Sequence, residues 1–149
     1  MTKILFVCLG NICRSPMAEY VMKDLVLRAG LSGQFEIASA ATSAWEIGNP
    51  LYPPARQKLA EHGIVCEGKT ARQMTRQDYM RYDYLIAMDE SNLHDILRIV
   101  GGDPQHKVSL LMAHTGHPRE VADPWFTGDF EATWQDVLEG CMGLLEELR

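Results

Sequence analysis

Cys8 and Arg14 flank five residues, Leu9-Gly10-Asn11-Ile12-Cys13, and Ser15-Pro16 follows at once. Upstream runs Ile4-Leu5-Phe6-Val7, with the length and β-branching of a buried parallel strand. Ser15-Pro16 pairs a helix-capping residue with the residue preferred at the first helical position. The stretch therefore predicts strand, tight loop and helix N-terminus, with Gly10 and Asn11 suited to positive φ. Such a turn aims successive amides, and the positive end of a helix dipole, at a tetrahedral anion. Arg14 adds a planar fork for two anionic oxygens. Cys8 stands at the floor of this cradle, where the same donors stabilise a thiolate and an unusually acidic, nucleophilic cysteine is expected. The Ser15 hydroxyl is placed to hydrogen-bond that sulfur. A cysteine in an apolar strand is ordinarily just a small buried hydrophobe; the concentration of Cys, Gly, Asn, Arg and Ser at one junction is what separates this one.

Composition bounds the rest. The 149 residues fit one domain, 1–149, with its own core; 46% are hydrophobic and 23% charged. The net charge of -6 and the lack of a basic cluster disfavour nucleic acid as a partner, so anion affinity has to be local. No run approaches the ~18 apolar residues of a membrane span, and the opening Met1-Thr2-Lys3 and short apolar segment make a poor secretory signal. A cytoplasmic location away from membranes is expected. Cys8, Cys13, Cys66 and Cys141 show no CxxC spacing, so neither a disulfide framework nor structural zinc is expected.

The elements that must hold the loop are legible in order. Strands are expected at residues 3–8, 35–40, 83–89 and 108–112, and helices at about 16–30, 54–62, from Glu90 or Ser91 to Gly101, and from Phe130 to the end. In the first helix Met17, Val21, Leu25 and Ala29 form the apolar stripe and Glu19, Lys23 and Arg28 face water. A short helix capped by Thr75 follows Ala71-Arg72-Gln73. Leu93, Ile96, Leu97 and Val100 mark the buried face of the next helix; Phe130, Trp134, Val137, Leu138, Cys141, Leu144, Leu145 and Leu148 mark that of the last. Alternating strands and helices imply an α/β, doubly wound, four-stranded parallel sheet flanked by helices, with ligand chemistry at the carboxyl ends of its strands. Two long irregular stretches remain. One carries Trp45, and the other, about 113–129, carries Asp123-Pro124-Trp125-Phe126 and two histidines, His114 and His117, expected on the surface.

The stretch Cys8–Pro16 closely resembles the signature of the low-molecular-weight protein tyrosine phosphatases. Ala71-Arg72-Gln73, Met88-Asp89-Glu90-Ser91-Asn92-Leu93 and Asp123-Pro124 followed by aromatics match in order and spacing over nearly the whole chain. The resemblance implies the phosphotyrosine phosphatase I-like fold and hydrolysis of protein phosphotyrosine and small aryl phosphates through a cysteinyl-phosphate. Cys8 is then the nucleophile, Arg14 the phosphate clamp, and Leu9, Gly10, Asn11, Ile12, Cys13, Arg14 and Ser15 the phosphate-binding loop. A phenolate leaving group, with a conjugate acid of pKa ~10, needs a proton donor. Asp123, in a long loop and stiffened by Pro124, is the candidate for general acid and base; Asp89 is expected to cap or to hold structure. Trp45, Trp125 and Phe126 are expected to wall a slot for an aryl phosphate, and Cys13 resembles the second loop cysteine that protects the nucleophile from over-oxidation.

No cofactor or metal is expected. The implied partners are phosphotyrosine proteins and a cognate tyrosine kinase, with the chain a monomer or weakly self-associating. The sequence departs from the family at Leu51-Tyr52-Pro53-Pro54-Ala55, where Asp-Pro-Arg-Ala is usual, and near Lys69, where a histidine often supports the loop. Two relatives on the same fold are alternatives. Protein arginine phosphatases typically carry threonine where this chain has Ile12; arsenate reductases need a redox cysteine pair that Cys66 and Cys141 do not supply.

Overall fold

The computed structural model describes residues 1–149. Strand β1 (Thr2–Cys8) lies inside a four-stranded, all-parallel sheet of order β2-β1-β3-β4, with β2 at Phe35–Ala41, β3 at Tyr84–Ala87 and β4 at Val108–Leu110. Because side chains alternate along a strand, β1 serves two cores. Ile4, Phe6 and Cys8 join one with helices α1 (Arg14–Arg28), α2 (Pro53–Glu61) and α6 (Phe130–Leu148). Leu5 and Val7 face the other, with Tyr79 of the short α3 (Asp78–Arg81) and Ile96 of α4 (Glu90–Val100). A strand buried on both faces has to read as a continuous apolar run, as β1 does. The chain leaves β1 and β3 in opposite directions, which opens a crevice between their carboxyl ends.

The four parallel strands, wound in both directions from the middle of the sheet, match the architecture expected from the sequence, and several boundaries differ. Helix α1 starts at Arg14, two residues early, with Cys13 at its N-cap and no side-chain cap, so Ser15 lies within the first turn. Its amide is satisfied by the Cys8 sulfur, which removes the need for a capping hydroxyl. Glu19 is buried, contrary to the water-facing position expected; Lys23, Lys69 and Ser39 surround it. Thr75 does not cap α3: Gln77 precedes it, and the Thr75 amide instead donates to Asp78 at 2.8 Å. On α4 the buried positions are Asn92, Ile96 and Val100, with Leu93 and Ile99, not Leu97, packing beside them. Strand β4 stops at Leu110, and Leu111–His114 forms a 3-10 turn. In that turn His114 is half-buried between Ser109 (2.9 Å) and Glu147 (2.7 Å), while His117 is exposed as expected. No helix is long and apolar enough to cross a membrane.

Candidate active site

A cleft of about 220 Å³ opens at the carboxyl end of β1. Its lining joins Cys8, Leu9, Gly10, Ile12, Cys13 and Arg14 to Trp45, Glu46, Asp123, Trp125 and Phe126. Every site residue expected from the sequence lies here except Asn11 and Ser15, which are buried beneath the loop. Glu46, at the rim and bonded by Asn49 at 2.6 Å, was not anticipated.

The loop wraps the cysteine. The amides of Asn11 and Ser15 donate to Cys8 Sγ at 3.3 and 3.4 Å, and the thiol itself donates to Ser15 Oγ at 3.1 Å. If the sulfur is ionised, that last contact can reverse, with the hydroxyl donating. The amides of Leu9, Gly10, Ile12 and Cys13 have no acceptor within the chain, a concave row of free donors. Asn11 makes the turn with φ +59°, in the left-handed region that asparagine tolerates better than most residues. Its side chain holds the loop in place: Nδ2 donates to Ser15 Oγ (2.8 Å) and Ser39 Oγ (2.9 Å), and Oδ1 accepts from the Arg72 amide (3.2 Å).

Below this lies a charged network that the sequence did not announce. Ser39 on β2 donates to Glu19 at 2.6 Å. Lys23 bonds Glu19 at 2.5 Å; Lys69 approaches it to 3.6 Å and donates to the Ser39 carbonyl at 3.1 Å. Burial pushes the Lys69 ammonium below its ordinary range, against the pull of Glu19. Lys69 thus sits under the loop at the position where the sequence departs from the family's supporting histidine. A polar residue at an otherwise apolar position of β2 was the one available signal for Ser39.

Arg14 is almost wholly buried. Its NH1 donates to Asp89 Oδ2 (2.7 Å) and to the Val121 carbonyl (2.9 Å), and NH2 reaches Asp123 Oδ2 at 3.4 Å. Burial works against its charge, but the Cys8 sulfur and then the Asp89 bond outweigh this and raise it further. Asp89 also caps α4, accepting the Asn92 amide at 2.8 Å. Asp123 is half-exposed at the cleft mouth; its Oδ1 accepts the Trp125 amide at 3.1 Å and starts the short α5 (Pro124–Thr127). Burial, with Cys8 and Asp123 nearby, pushes the Cys13 thiol up to about 12, so it stays protonated. Trp45 and Phe126 are largely exposed, at 76% and 78%, and Trp125 half so; they form an apolar rim around a polar floor.

Such a site can hold a tetrahedral dianion against amides and a guanidinium, present a sulfur to it from below, and offer a carboxyl group near the mouth.

Comparison with known proteins gives the same picture at chain length. The family model for "Low molecular weight phosphotyrosine protein phosphatase" matches residues 3–149. A rat protein of that name is 40% identical over 97% of this chain and 94% of its own length. The crystal structure of YfkJ from Bacillus subtilis superposes with a TM-score of 0.96 at 39% identity, covering 99% of this chain and 94% of that one. A Drosophila arginine phosphatase superposes with a TM-score of 0.90 at 31% identity, covering 99% and 98%.

Proposed function

The chain belongs to the low molecular weight phosphotyrosine protein phosphatase family, whose members are hydrolases, and on that premise we propose that it hydrolyses protein phosphotyrosine and small aryl phosphates through a cysteinyl-phosphate. The observation that carries this reading is one cleft that joins a sulfur held by two amides, a buried arginine and a half-exposed aspartate.

The Cys8 thiolate attacks phosphorus in line, and the phosphorus–oxygen bond to the aryl group breaks with its electron pair going to oxygen. The loop amides and Arg14 hold the equatorial oxygens as charge redistributes. Asp123 gives its proton to the departing oxygen, leaving phosphate on sulfur. As a carboxylate it then takes a proton from water, whose oxygen attacks phosphorus, releasing inorganic phosphate and restoring the thiolate. Arg14 is suited to its part because Asp89 and the Val121 carbonyl fix the guanidinium through NH1, while the contact of NH2 with Asp123 is long enough to yield to phosphate.

The aromatic rim supports an aryl ester. Trp45, Trp125 and Phe126 stand above the floor, so a phosphate must project past them to reach Cys8, which favours phosphotyrosine over the shorter phosphoserine. Ile12, where arginine phosphatases typically carry threonine, leaves this part of the lining apolar and argues for the same substrate.

The test is hydrolysis of phosphotyrosine peptides and phenyl phosphate, inhibited by vanadate. Cys8→Ser is expected to abolish turnover. Asp123→Ala is expected to slow phenyl phosphate by about 10²–10⁴-fold, and esters of acidic phenols far less. Equal loss across all leaving groups would remove Asp123 from the role, and preferred turnover of phosphoarginine or arsenate would overturn the substrate class.

A further inference from the structure

We propose that Tyr52, in the segment Leu51–Ala55, is a positioning residue that aligns Asp123 through Trp125; the proposal rests on the phosphatase reading above. Tyr52 occupies the N-cap of α2 yet makes no side-chain capping bond there. Its half-buried ring is spent elsewhere. It packs on Trp125 with centroids 4.7 Å apart and planes tilted by 53°, and on Phe130 at 6.0 Å and 32°. Trp125 lies in α5 and Phe130 opens α6, so one ring touches the chain on both sides of the connection that follows the Asp123 turn. Tyr52 also lies against Ile12, Cys13 and Ala71, and its amide donates to the Ile12 carbonyl at 3.0 Å. Beside the bonds of Arg14 to Val121 and Asp123, Tyr52 therefore joins the phosphate loop to the Asp123 loop through its side chain and its own backbone.

The coupling reaches the carboxyl group by a short path. On the N-terminal side the Asp123 loop is locked, because buried Val121 donates its amide to the Met88 carbonyl at 2.9 Å and its own carbonyl accepts from Arg14. On the C-terminal side Pro124 is buried, Trp125 is half-exposed and Phe126 largely exposed, and the aromatic contacts that hold this turn to the body run through Tyr52. Asp123 Oδ1 accepts the Trp125 amide, so a shift of Trp125 rotates the carboxyl group that must meet the leaving oxygen. Cys8 is held by the amides of Asn11 and Ser15, and the Tyr52 amide that bonds the Ile12 carbonyl stays when the ring is removed. Loss of the ring should impair proton donation and leave phosphate binding intact.

The experiment measures the pre-steady-state burst of phenol for two substrates, phenyl phosphate and an electron-poor aryl phosphate that leaves without protonation, with vanadate affinity measured alongside. Tyr52→Ala is expected to slow the phenyl phosphate burst by about threefold to tenfold, the fold-change matching an aromatic pair. The electron-poor ester and vanadate affinity should change by less than about twofold. Tyr52→Phe, which keeps the ring pair, should restore the wild-type ratio between the esters. Tyr52→Leu keeps apolar volume under the loop, guards against a folding failure of the alanine variant, and should show the same selective loss. Equal slowing of both esters, or no slowing of either, overturns the proposal. Failure of the wild-type chain to hydrolyse either ester would instead overturn the phosphatase reading.

Discussion

Asn11 is the residue on which the shape of the phosphate loop most depends, and its replacement has a magnitude that follows from the geometry. Asn11→Ala removes three hydrogen bonds from a nearly inaccessible position: two from Nδ2 to Ser15 and Ser39, and one to Oδ1 from the Arg72 amide. At about 1 kcal/mol each, these amount to roughly 3 kcal/mol. Alanine must in addition hold φ +59°, which adds about 1–2 kcal/mol. The expected total of roughly 4 kcal/mol corresponds to a fall in Tm of about 8–16 °C for a chain of this size. Asn11→Gly loses the same bonds but accepts the backbone angle. After the greater flexibility of glycine in the unfolded chain is counted, it should be less harmful than alanine by about 0.5–1 kcal/mol. Urea unfolding of the three proteins, with the slope checked for constancy, separates the two contributions. A loss below about 1 kcal/mol for Asn11→Ala would show that the bonds do not hold the loop. Glycine proving worse than alanine would refute the left-handed turn.

Three further outcomes follow from other parts of the structure. Peroxide is expected to convert Cys8 to the sulfenic acid, which condenses with the neutral Cys13 thiol to give a disulfide and water; in Cys13→Ser a second equivalent of peroxide takes the unprotected sulfenic acid on to the irreversible sulfinic acid, so a thiol reductant restores activity in the wild type but not in the variant, and equal recovery would remove Cys13 from that role. A methyl group on Gly143 of α6 would overlap the backbone carbonyl of His114, which cannot swing aside, so Gly143→Ala should destabilise by about 3 kcal/mol although alanine favours helix, whereas Gly116→Ala, in open space, should be close to neutral by thermal unfolding. Asp103 accepts from Tyr79 Oη and the amides of Lys107 and Val108, and these bonds overcome a burial effect of opposite sign to hold its carboxyl below the ordinary 3.8; a lowered folded-state value contributes stability above the ordinary value and loses it as pH falls through the lowered one, so the deficit of Asp103→Asn at neutral pH should narrow as the pH is taken below 3.8, and a constant deficit would refute this.

What was legible in the sequence was local, and what was hidden was assembled across the chain. β1 showed itself because a strand buried on both faces reads as one apolar run, and the phosphate loop because its cysteine, turn residues and arginine lie together. Glu19 was read as water-facing because its neighbours on α1 are charged. Lys23 is an i,i+4 neighbour on the same helix, but Ser39 and Lys69 come from other segments, and pairing over 20 or 50 positions leaves no periodic mark. Tyr52 was visible only as a departure from a pattern; that its ring meets Trp125 depends on how α2 and α5 sit over the loop. Thr75 looked like a cap by type, but Asp78 three residues later takes its amide and both forks of Arg72.

The displaced start of α1 joins the fold to the chemistry. A first turn without a side-chain cap leaves amides unsatisfied, which ordinarily destabilises a helix. Here the Ser15 amide, inside the turn, is taken by Cys8 Sγ, and those of Ile12 and Cys13, just before it in residues that line the cleft, have no acceptor within the chain. A serine at the N-cap in place of Cys13 would compete with Cys8 Sγ for the Ser15 amide, the second of the helix. With Ser15 two residues further into the helix than a cap, its hydroxyl meets the sulfur, and the amides before the helix stay without an acceptor in the chain. The same choice accounts for Asn11: a chain that enters its helix with free amides needs its turn held from below, and the bonds to Ser39 and the Arg72 amide hold it.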